Sequence, residues 1–262
     1  MDTTFLLRSA TEAARAAGDI LRTGFGSSFT SRSKEGRHNL VTEFDLRCEE
    51  TIISMLRLAT PDAGFLAEES GLSDSDGTLT WVIDPLDGTV NFAHGIPIFC
   101  VSIAATFNGV PVCGVIHNPL LNETFTAIAG GGAFLNGTKL QVSTTSSVAD
   151  SILVTGFPYN VNDNPRQCIE QFSTIIRKGL PVRRLGSAAL DLAYTAAGRF
   201  DGYWEVALHA WDMAAGVLMV QEAGGTVSHY DGESFHLGHN SIVATNGRIH
   251  NELVDILATV TS

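Results

Sequence analysis

Residues 81–89 read Trp-Val-Ile-Asp-Pro-Leu-Asp-Gly-Thr, an apolar run that ends in two carboxylates and a hydroxyl. Such a run followed by Pro and Gly is typical of a buried strand that ends in a turn. Pro85 presets one turn dihedral, and Gly88 tolerates conformations that a residue with a Cβ resists. The pattern therefore predicts a tight turn on which Asp84 and Asp87 face one pocket.

Two carboxylates in one pocket require a compensating group. At a separation of about 4 Å and an effective dielectric of about 20 they repel by roughly 4 kcal/mol. Protonation or a cation between them removes this repulsion, and hard oxygen ligands beside a glycine turn favour magnesium over zinc. Because short motifs match by accident, an Asx-rich surface turn explains the bare Asp-x-x-Asp-Gly more simply, and the rest of the chain has to decide.

Other acidic residues follow apolar or helical patterns elsewhere in the chain. Glu68 and Glu69 end a short apolar stretch, and Asp212 lies in the first turn of an Ala-rich helical pattern, where a carboxylate is favoured. Taken singly, the two glutamates suit a solvated loop and Asp212 suits a helix-capping acid. Together with the 81–89 segment they indicate a functional cluster.

With these residues the chain resembles the inositol monophosphatase family of magnesium-dependent, lithium-sensitive phosphomonoesterases. The resemblance spans nearly the whole chain and rests on five motifs in the family's order. They are Leu-Val-Thr-Glu-Phe-Asp at 40–45, Ala-Glu-Glu-Ser at 67–70, Trp-Val-Ile-Asp-Pro-Leu-Asp-Gly-Thr-Val-Asn-Phe at 81–92, Gly-Ser-Ala-Ala at 186–189, and Trp-Glu at 204–205 with Trp-Asp at 211–212. The Asn-Phe pair at 91–92 resembles the inositol phosphatase branch of the family.

The resemblance implies a magnesium site with two to three ions. Glu68, Asp84 and the Leu86 carbonyl would hold one ion, and Asp84, Asp87 and Asp212 would hold a second. A third, weaker ion is expected through Glu68 and waters.

The resemblance also assigns the catalytic steps. Thr89, hydrogen-bonded to Asp45, would orient and help deprotonate a water that attacks phosphorus in line, with Glu68 as a further catalytic carboxylate and no covalent phosphoenzyme. Physical chemistry agrees with this division, since metal ions can activate water and neutralise a leaving oxygen. Backbone N–H groups of Gly88 and Thr89 suit the phosphate oxygens, as does the start of a helix after Gly186.

The expected substrate is a small phosphorylated polyol, with myo-inositol 1-phosphate in the leading hypothesis. By resemblance Ser187, Ala188, Glu205 and Asp212 face the ring hydroxyls, and Asp87 completes the substrate contacts. The same chemistry on fructose 1,6-bisphosphate, histidinol phosphate or a nucleotide 3′-phosphate is the alternative, because pocket residues discriminate these poorly. A regulatory or protein-binding module on the same fold is a remote third hypothesis, for which a missing metal ligand would be the sign.

Composition limits the partners and the location. With 16 basic and 28 acidic residues the net charge is −12, which disfavours nucleic acid or an anionic membrane as a direct partner. The four cysteines lack Cys-x-x-Cys spacing and are expected to be reduced, mostly buried thiols. The chain starts without a basic, apolar leader pattern and has no run of 18 apolar residues, so a cytoplasmic protein is expected. The resemblance implies a homodimer.

Periodicity predicts an α+β or α/β chain in two halves. Helices are predicted near 5–21 and 43–58, an irregular mobile loop over 26–39 that carries Lys34, and an antiparallel sheet within 81–138. Strand and helix patterns then alternate after a Ser/Thr-rich join. We expect an N-terminal half over 1–145 with most metal ligands and a C-terminal half over 146–262. The resemblance implies a layered αβαβα sandwich of the inositol monophosphatase and fructose-1,6-bisphosphatase type, with the metals between the halves.

Overall fold

The computed structural model describes residues 2–33, 40–73 and 78–260. The predicted loop lysine, Lys34, lies outside the described residues. Within them the helices are α1 Thr3–Gly24, α2 Glu43–Ala59, α3 Thr89–Ala93, α4 Cys168–Arg177, α5 Ala188–Ala196, α6 Ala210–Glu222 and α7 His250–Ala258. The strands are β1 Ser31–Ser33, β2 Leu40–Thr42, β3 Gly64–Ala67, β4 Gly71–Ser73, β5 Leu79–Asp87, β6 Cys100–Phe107, β7 Val110–Asn118, β8 Glu123–Ile128, β9 Gly132–Leu135, β10 Thr138–Lys139, β11 Leu153–Thr155, β12 Val182–Arg183, β13 Gly202–Val206, β14 Thr226–Ser228 and β15 Ser241–Thr245.

Two main sheets organise the chain. The larger has the order β10-β9-β8-β7-β6-β5-β3-β4, and its neighbours are antiparallel except for the parallel pair β3 and β5. The smaller has the order β12-β11-β13-β15-β14, with β11 parallel to both of its neighbours. The antiparallel sheet predicted within 81–138 is confirmed.

Alternating side chains of the larger sheet contact helices on its two faces. Ile83 and Ile103 pack in one core with α1 and α2, whereas their chain neighbours Val82 and Ala104 pack in a second core with α5 and α6. This follows from the two-residue period of a strand, which sends successive side chains to opposite faces. The larger sheet therefore lies between two helical layers.

The smaller sheet repeats this arrangement. Val154 and Tyr203 face α5 and α6, and Leu153 and Trp204 face a third core that includes residues of α4 and α7. The layer order is thus α1/α2, larger sheet, α5/α6, smaller sheet, α4/α7. The expected αβαβα sandwich is confirmed. The core that contains α5 and α6 includes residues from both sides of position 145. The division into an N-terminal half over 1–145 and a C-terminal half over 146–262 stays a prediction.

Two local predictions are wrong. Residues 31–33, expected to be irregular, form β1, which pairs with Leu40–Thr42 through its backbone and shows no side-chain period. The segment from Asp84 to Asp87, expected to be a turn after the strand, is an irregular part of β5 itself. Asp84 pairs with Ser102 and Asp87 with Cys100, so one extra residue is accommodated, as expected where Pro85 has no N–H to donate.

The turn instead falls at Gly88, the residue before α3. Its φ is +97°, and a Cβ at this position would lie 2.9 Å from the Ile98 carbonyl oxygen. Glycine is therefore required both by conformation and by space.

The four cysteines are placed as the sequence predicts. Cys48, Cys100, Cys113 and Cys168 are buried and form no disulfides, which confirms the expected thiols. None of the helices in the described ranges combines the length and the apolar character needed to cross a bilayer.

The packing of α6 onto the sheet generates a first prediction. A Cβ at Gly114 of β7 would lie 2.9 Å from Ala215 Cα and 3.0 Å from its Cβ. Gly114→Val should overpack this contact and lower the free energy of unfolding by about 1–3 kcal/mol in urea titrations. Thr138→Val, at an exposed strand position, is the control. A change within about 0.5 kcal/mol at Gly114 would contradict the close approach.

Candidate active site

Four carboxylates predicted to act together lie near the ends of three different elements. Glu68 directly follows β3, whereas Asp84 and Asp87 lie at the end of β5. Ala67 pairs with Ile83 in parallel register, and the Glu68 N–H donates to the Ile83 carbonyl at 3.2 Å. Because the ends of two parallel strands meet at one sheet edge, Glu68 and Asp84 become neighbours.

The fourth carboxylate, Asp212, approaches from the middle helical layer. It lies in the first turn of α6, as predicted. Burial raises the pKa of Asp84 well above its usual range, and the negative charges of Glu68, Asp87 and Asp212 raise it further. All three of these charges act on Asp84, so Glu68, Asp87 and Asp212 lie within electrostatic range of it.

Burial perturbs the other acids in the same direction. It raises the pKa of Asp87 to about 6, against hydrogen bonds that lower it. It also raises the pKa of Asp212 well above the usual range, with Asp87 as the next cause. The Asp84 side chain is only 2% exposed, so water does little to stabilise its charged form.

Two of the carboxylates are oriented by backbone N–H groups. Leu86 N–H donates to Asp84 Oδ1 at 3.0 Å, and His209 N–H donates to Asp212 Oδ2 at 2.6 Å. Each bond engages one carboxylate oxygen and restricts the side-chain rotamer. The Leu86 carbonyl, predicted as a metal ligand, accepts the Thr89 hydroxyl at 2.9 Å.

Asp87 joins the larger sheet to α5. Its Oδ2 accepts from the Ser187 hydroxyl at 2.6 Å and from the Ala189 N–H at 2.8 Å. Ser187 is also the N-cap of α5. The Ser187 hydroxyl, predicted to face substrate, is thus hydrogen-bonded to Asp87 and orients that carboxylate.

A second contact, between α3 and the segment before α5, involves a side chain whose role the sequence did not reveal. Asn91 Nδ2 donates to the Ile98 carbonyl at 2.7 Å and to the Leu185 carbonyl at 2.8 Å. It thereby ties α3 to the segment that precedes Gly186 and Ser187. The Asn-Phe pair was the only sequence signal available for this contact.

Glu49 is another residue that the sequence did not single out. It is a buried acid of α2, and its Oε2 accepts from the Glu69 N–H at 2.9 Å. The bond fixes the backbone beside Glu68. A glutamate on the inner face of a predicted helix would have been the signal, since a buried acid needs a partner.

Thr89 and Asp45 form the expected hydrogen bond. Thr89 Oγ1 lies 3.0 Å from Asp45 Oδ1, and Thr42 donates to Asp45 Oδ2 through its N–H at 2.7 Å and its hydroxyl at 2.6 Å. Asp45 is fully buried, and burial raises its pKa to about 6 despite the bonds from Thr42. A buried acid with this pKa can exchange a proton near neutral pH.

Glu205 and the helix start form the remaining part of the site. Glu205 lies on β13 and is half-buried, and burial raises its pKa to about 7. Gly186 has a φ of +84° and leads into Ser187 and the buried Ala188, the first residue of α5. All predicted site residues except Lys34 therefore lie in the described structure.

The donor set suits a hard divalent cation, because oxygen ligands dominate and their charges repel one another. In the parts of the chain that are described, no three His, Cys, Asp or Glu side chains enclose a possible ion position as they stand.

Comparisons with known proteins agree with the fold. A solved structure of an inositol monophosphatase from Anabaena (Nostoc) sp. matches with a TM-score of 0.89 and 42% identity, over 99% of this chain and 97% of that chain. The inositol-1-monophosphatase of Synechocystis sp. is 46% identical over 96% of this chain and 88% of its own length. The Nus factor SuhB of Pseudomonas aeruginosa is 42% identical, over 95% and 94% of the two chains.

The fold and the acidic site define a layered αβαβα enzyme of the phosphatase class. Residues 2–262 match the inositol monophosphatase family, and the chain belongs to that family.

The raised pKa values predict how stability depends on pH. A carboxyl that holds its proton to higher pH when folded binds more protons in the native state than in the unfolded state. Stability from Asp45, Asp87 and Glu205 should therefore fall as pH rises from about 4 to 7. In excess chelator the Tm should be lower at about pH 8 than at about pH 5.

A substitution tests the source of this effect. Asp84→Asn removes one of the repelling charges and should raise the Tm of the chelated protein at the higher pH more than at the lower. Asp62→Asn, at an exposed position, should leave the Tm profile as in the parent. A parent Tm that rises with pH over this range would contradict the repulsion described here.

Proposed function

We propose that the protein is a magnesium-dependent phosphomonoesterase that hydrolyses myo-inositol 1-phosphate to inositol and phosphate. The observation that carries the proposal is the convergence of four buried or half-buried carboxylates beside a hydrogen-bonded Thr–Asp pair. Family membership supports it, and several relatives at 40–46% identity are named inositol-1-monophosphatase. We also propose a cytoplasmic homodimer that is inhibited by lithium, as the family resemblance implies.

The carboxylates would hold two to three magnesium ions. In this proposal Glu68, Asp84 and the Leu86 carbonyl hold one ion, and Asp84, Asp87 and Asp212 hold another, with a third, weaker ion near Glu68. Bound magnesium would supply a nucleophile at neutral pH and offset the charge that develops on the leaving oxygen.

Thr89 and Asp45 would position and deprotonate the attacking water. The Thr89 hydroxyl can pass its proton to Asp45 while its oxygen accepts a proton from water. Asp45 is a stronger base than an ordinary aspartate because burial raises its pKa to about 6. Its second oxygen is held by Thr42, so the geometry is prepared before substrate binds. No covalent phosphoenzyme is part of this proposal.

Other groups would receive the phosphate and the polyol. The N–H groups of Gly88 and Thr89 and the start of α5 after Gly186 would suit the phosphate. Ala188 and Glu205 would lie beside the ring, and Glu205 can accept hydrogen bonds from vicinal hydroxyls. Fructose 1,6-bisphosphate, histidinol phosphate and a nucleotide 3′-phosphate remain the alternative substrates, which a phosphate-release screen over all four would separate.

A regulatory role on the same fold is the remote alternative. It draws support from the relatives of Pseudomonas aeruginosa and Escherichia coli, which are named Nus factor SuhB. The net charge of −12 disfavours direct binding to nucleic acid, so such a role would require a protein partner.

The cation requirement is directly testable. Phosphate release from myo-inositol 1-phosphate should vanish in excess chelator and return with millimolar magnesium, because the carboxylates otherwise repel one another. Calcium should compete without supporting turnover, since its larger radius and looser shell change the ligand geometry. Asp84→Asn should weaken both magnesium binding and rate, whereas Asp62→Asn should do neither. Undiminished turnover in chelator would refute the mechanism.

The role of Thr89 is separable from metal binding. Thr89→Ala should keep magnesium binding, measured by calorimetry, and lower kcat by about 10²–10⁴-fold, the usual range for a positioned proton acceptor. Thr89→Ser retains the hydroxyl and should restore much of the rate. Near-normal kcat for Thr89→Ala at saturating magnesium would show that Thr89 does not orient the water.

A further inference from the structure

The Glu205 carboxylate lies against the backbone of Gly156, just beyond the end of β11. A Cβ at Gly156 would lie 2.1 and 2.2 Å from the two carboxylate oxygens of Glu205 and 2.3 Å from its Cδ. Gly156 has no positive φ, so the backbone conformation does not demand glycine. The demand comes from space, since any side chain at 156 would displace the carboxylate.

Sheet register fixes this contact. Thr155 pairs with Trp204 in the parallel pair β11 and β13, and the Thr155 hydroxyl donates to the Trp204 carbonyl at 2.6 Å. The next residues along the two chains are Gly156 and Glu205. Their juxtaposition therefore follows from the strand pairing and does not depend on a mobile loop.

Tyr203 holds the carboxylate from a second direction. Its hydroxyl donates to Glu205 Oε2 at 2.7 Å, and its side chain is fully buried. Tyr203 and Glu205 are two residues apart on β13, so their side chains leave the same face of the sheet. If Glu205 moved away, the buried hydroxyl would lose its partner, which is unfavourable.

We propose that Gly156 and Tyr203 are positioning residues that hold the Glu205 carboxylate for the hydroxyls of a polyol phosphate. Through Glu205 they set the selectivity of the site for polyol phosphates over simple phosphomonoesters. The inference rests on the proposed function and extends it to two residues that touch neither the proposed ions nor the phosphate. A carboxylate fixed in one place discriminates more strongly for hydroxyls than one free to rotate.

The test compares two substrates in two backgrounds. Gly156→Ala and Tyr203→Phe are made in the parent and in Glu205→Ala, and each variant is assayed at saturating magnesium. In the parent, both changes should raise KM for myo-inositol 1-phosphate by roughly tenfold with kcat nearly unchanged, while KM for glycerol 2-phosphate changes by less than about twofold. In the Glu205→Ala background, Gly156→Ala and Tyr203→Phe should not change either KM further. Substitutions that act only through Glu205 lose their effect once its carboxylate is gone.

Matched controls separate positioning from general damage. Gly131→Ala changes an exposed glycine whose φ is not positive, and Tyr194→Phe removes a hydroxyl that lies 3.4 Å from Glu123 Oε2. Neither control should alter the ratio of the two KM values. An equal rise in KM for both substrates, or a rise in KM that persists in the Glu205→Ala background, would overturn the proposal.

A readout without turnover distinguishes this inference from the proposed function. Gly156→Ala should lower the Tm in the parent and leave it unchanged in Glu205→Ala, where no carboxylate opposes the new methyl group. An equal loss of Tm in both backgrounds would overturn the positioning role. A parent that hydrolyses neither substrate would overturn the proposed function, and the Tm comparison would then decide the Gly156–Glu205 contact alone.

Discussion

The parallel pairing of β3 with β5 is the constraint on which the site depends. It sets Glu68 beside Asp84 at one sheet edge, and burial denies both Asp84 and Asp87 the water that would screen their charge. A buried cluster of like charges is unfavourable unless protons or cations accompany it. The repulsion among these carboxylates would therefore favour the binding of a cation between them.

The contacts between the larger sheet and the middle helical layer serve this cluster. Asp87 accepts from the N-cap residue and the first turn of α5, and Asn91 holds the segment that leads into that helix. α6 then brings Asp212 in from the same layer, seated on the sheet by the close approach at Gly114. The larger sheet shares a core and hydrogen bonds with α5 and α6 at the point where the acids meet, so the packing of these helices on the sheet also sets the geometry of the site.

Two further acids of the site are held by the same physical means. Asp45 is fixed by Thr42 and Glu205 by Tyr203, in each case through short hydrogen bonds from hydroxyl groups. Burial raises the pKa of both acids, to about 6 and about 7. Two glycines leave the space that these groups occupy. A Cβ at Gly88 would meet the Ile98 carbonyl oxygen, and a Cβ at Gly156 would meet the Glu205 carboxylate.

Motifs in the amino-acid sequence predict the acidic cluster, because they place carboxylates at the ends of apolar runs and in the first turn of a helix. The layered fold and the Thr89–Asp45 hydrogen bond are predicted from the resemblance of those motifs to one family, since residues 44 positions apart have no local pattern that joins them. The tertiary structure alone decided the pairing of Glu49 with the Glu69 backbone, the bridge through Asn91, the engagement of Ser187 by Asp87 and the packing of Glu205 on Gly156. Each of these joins segments from different elements, and neither side-chain period nor motif spacing records which distant backbone a polar side chain will meet. The sequence pattern predicts a turn after Asp84 for the same reason, because only the partner strand β6 shows that the ladder resumes at Asp87.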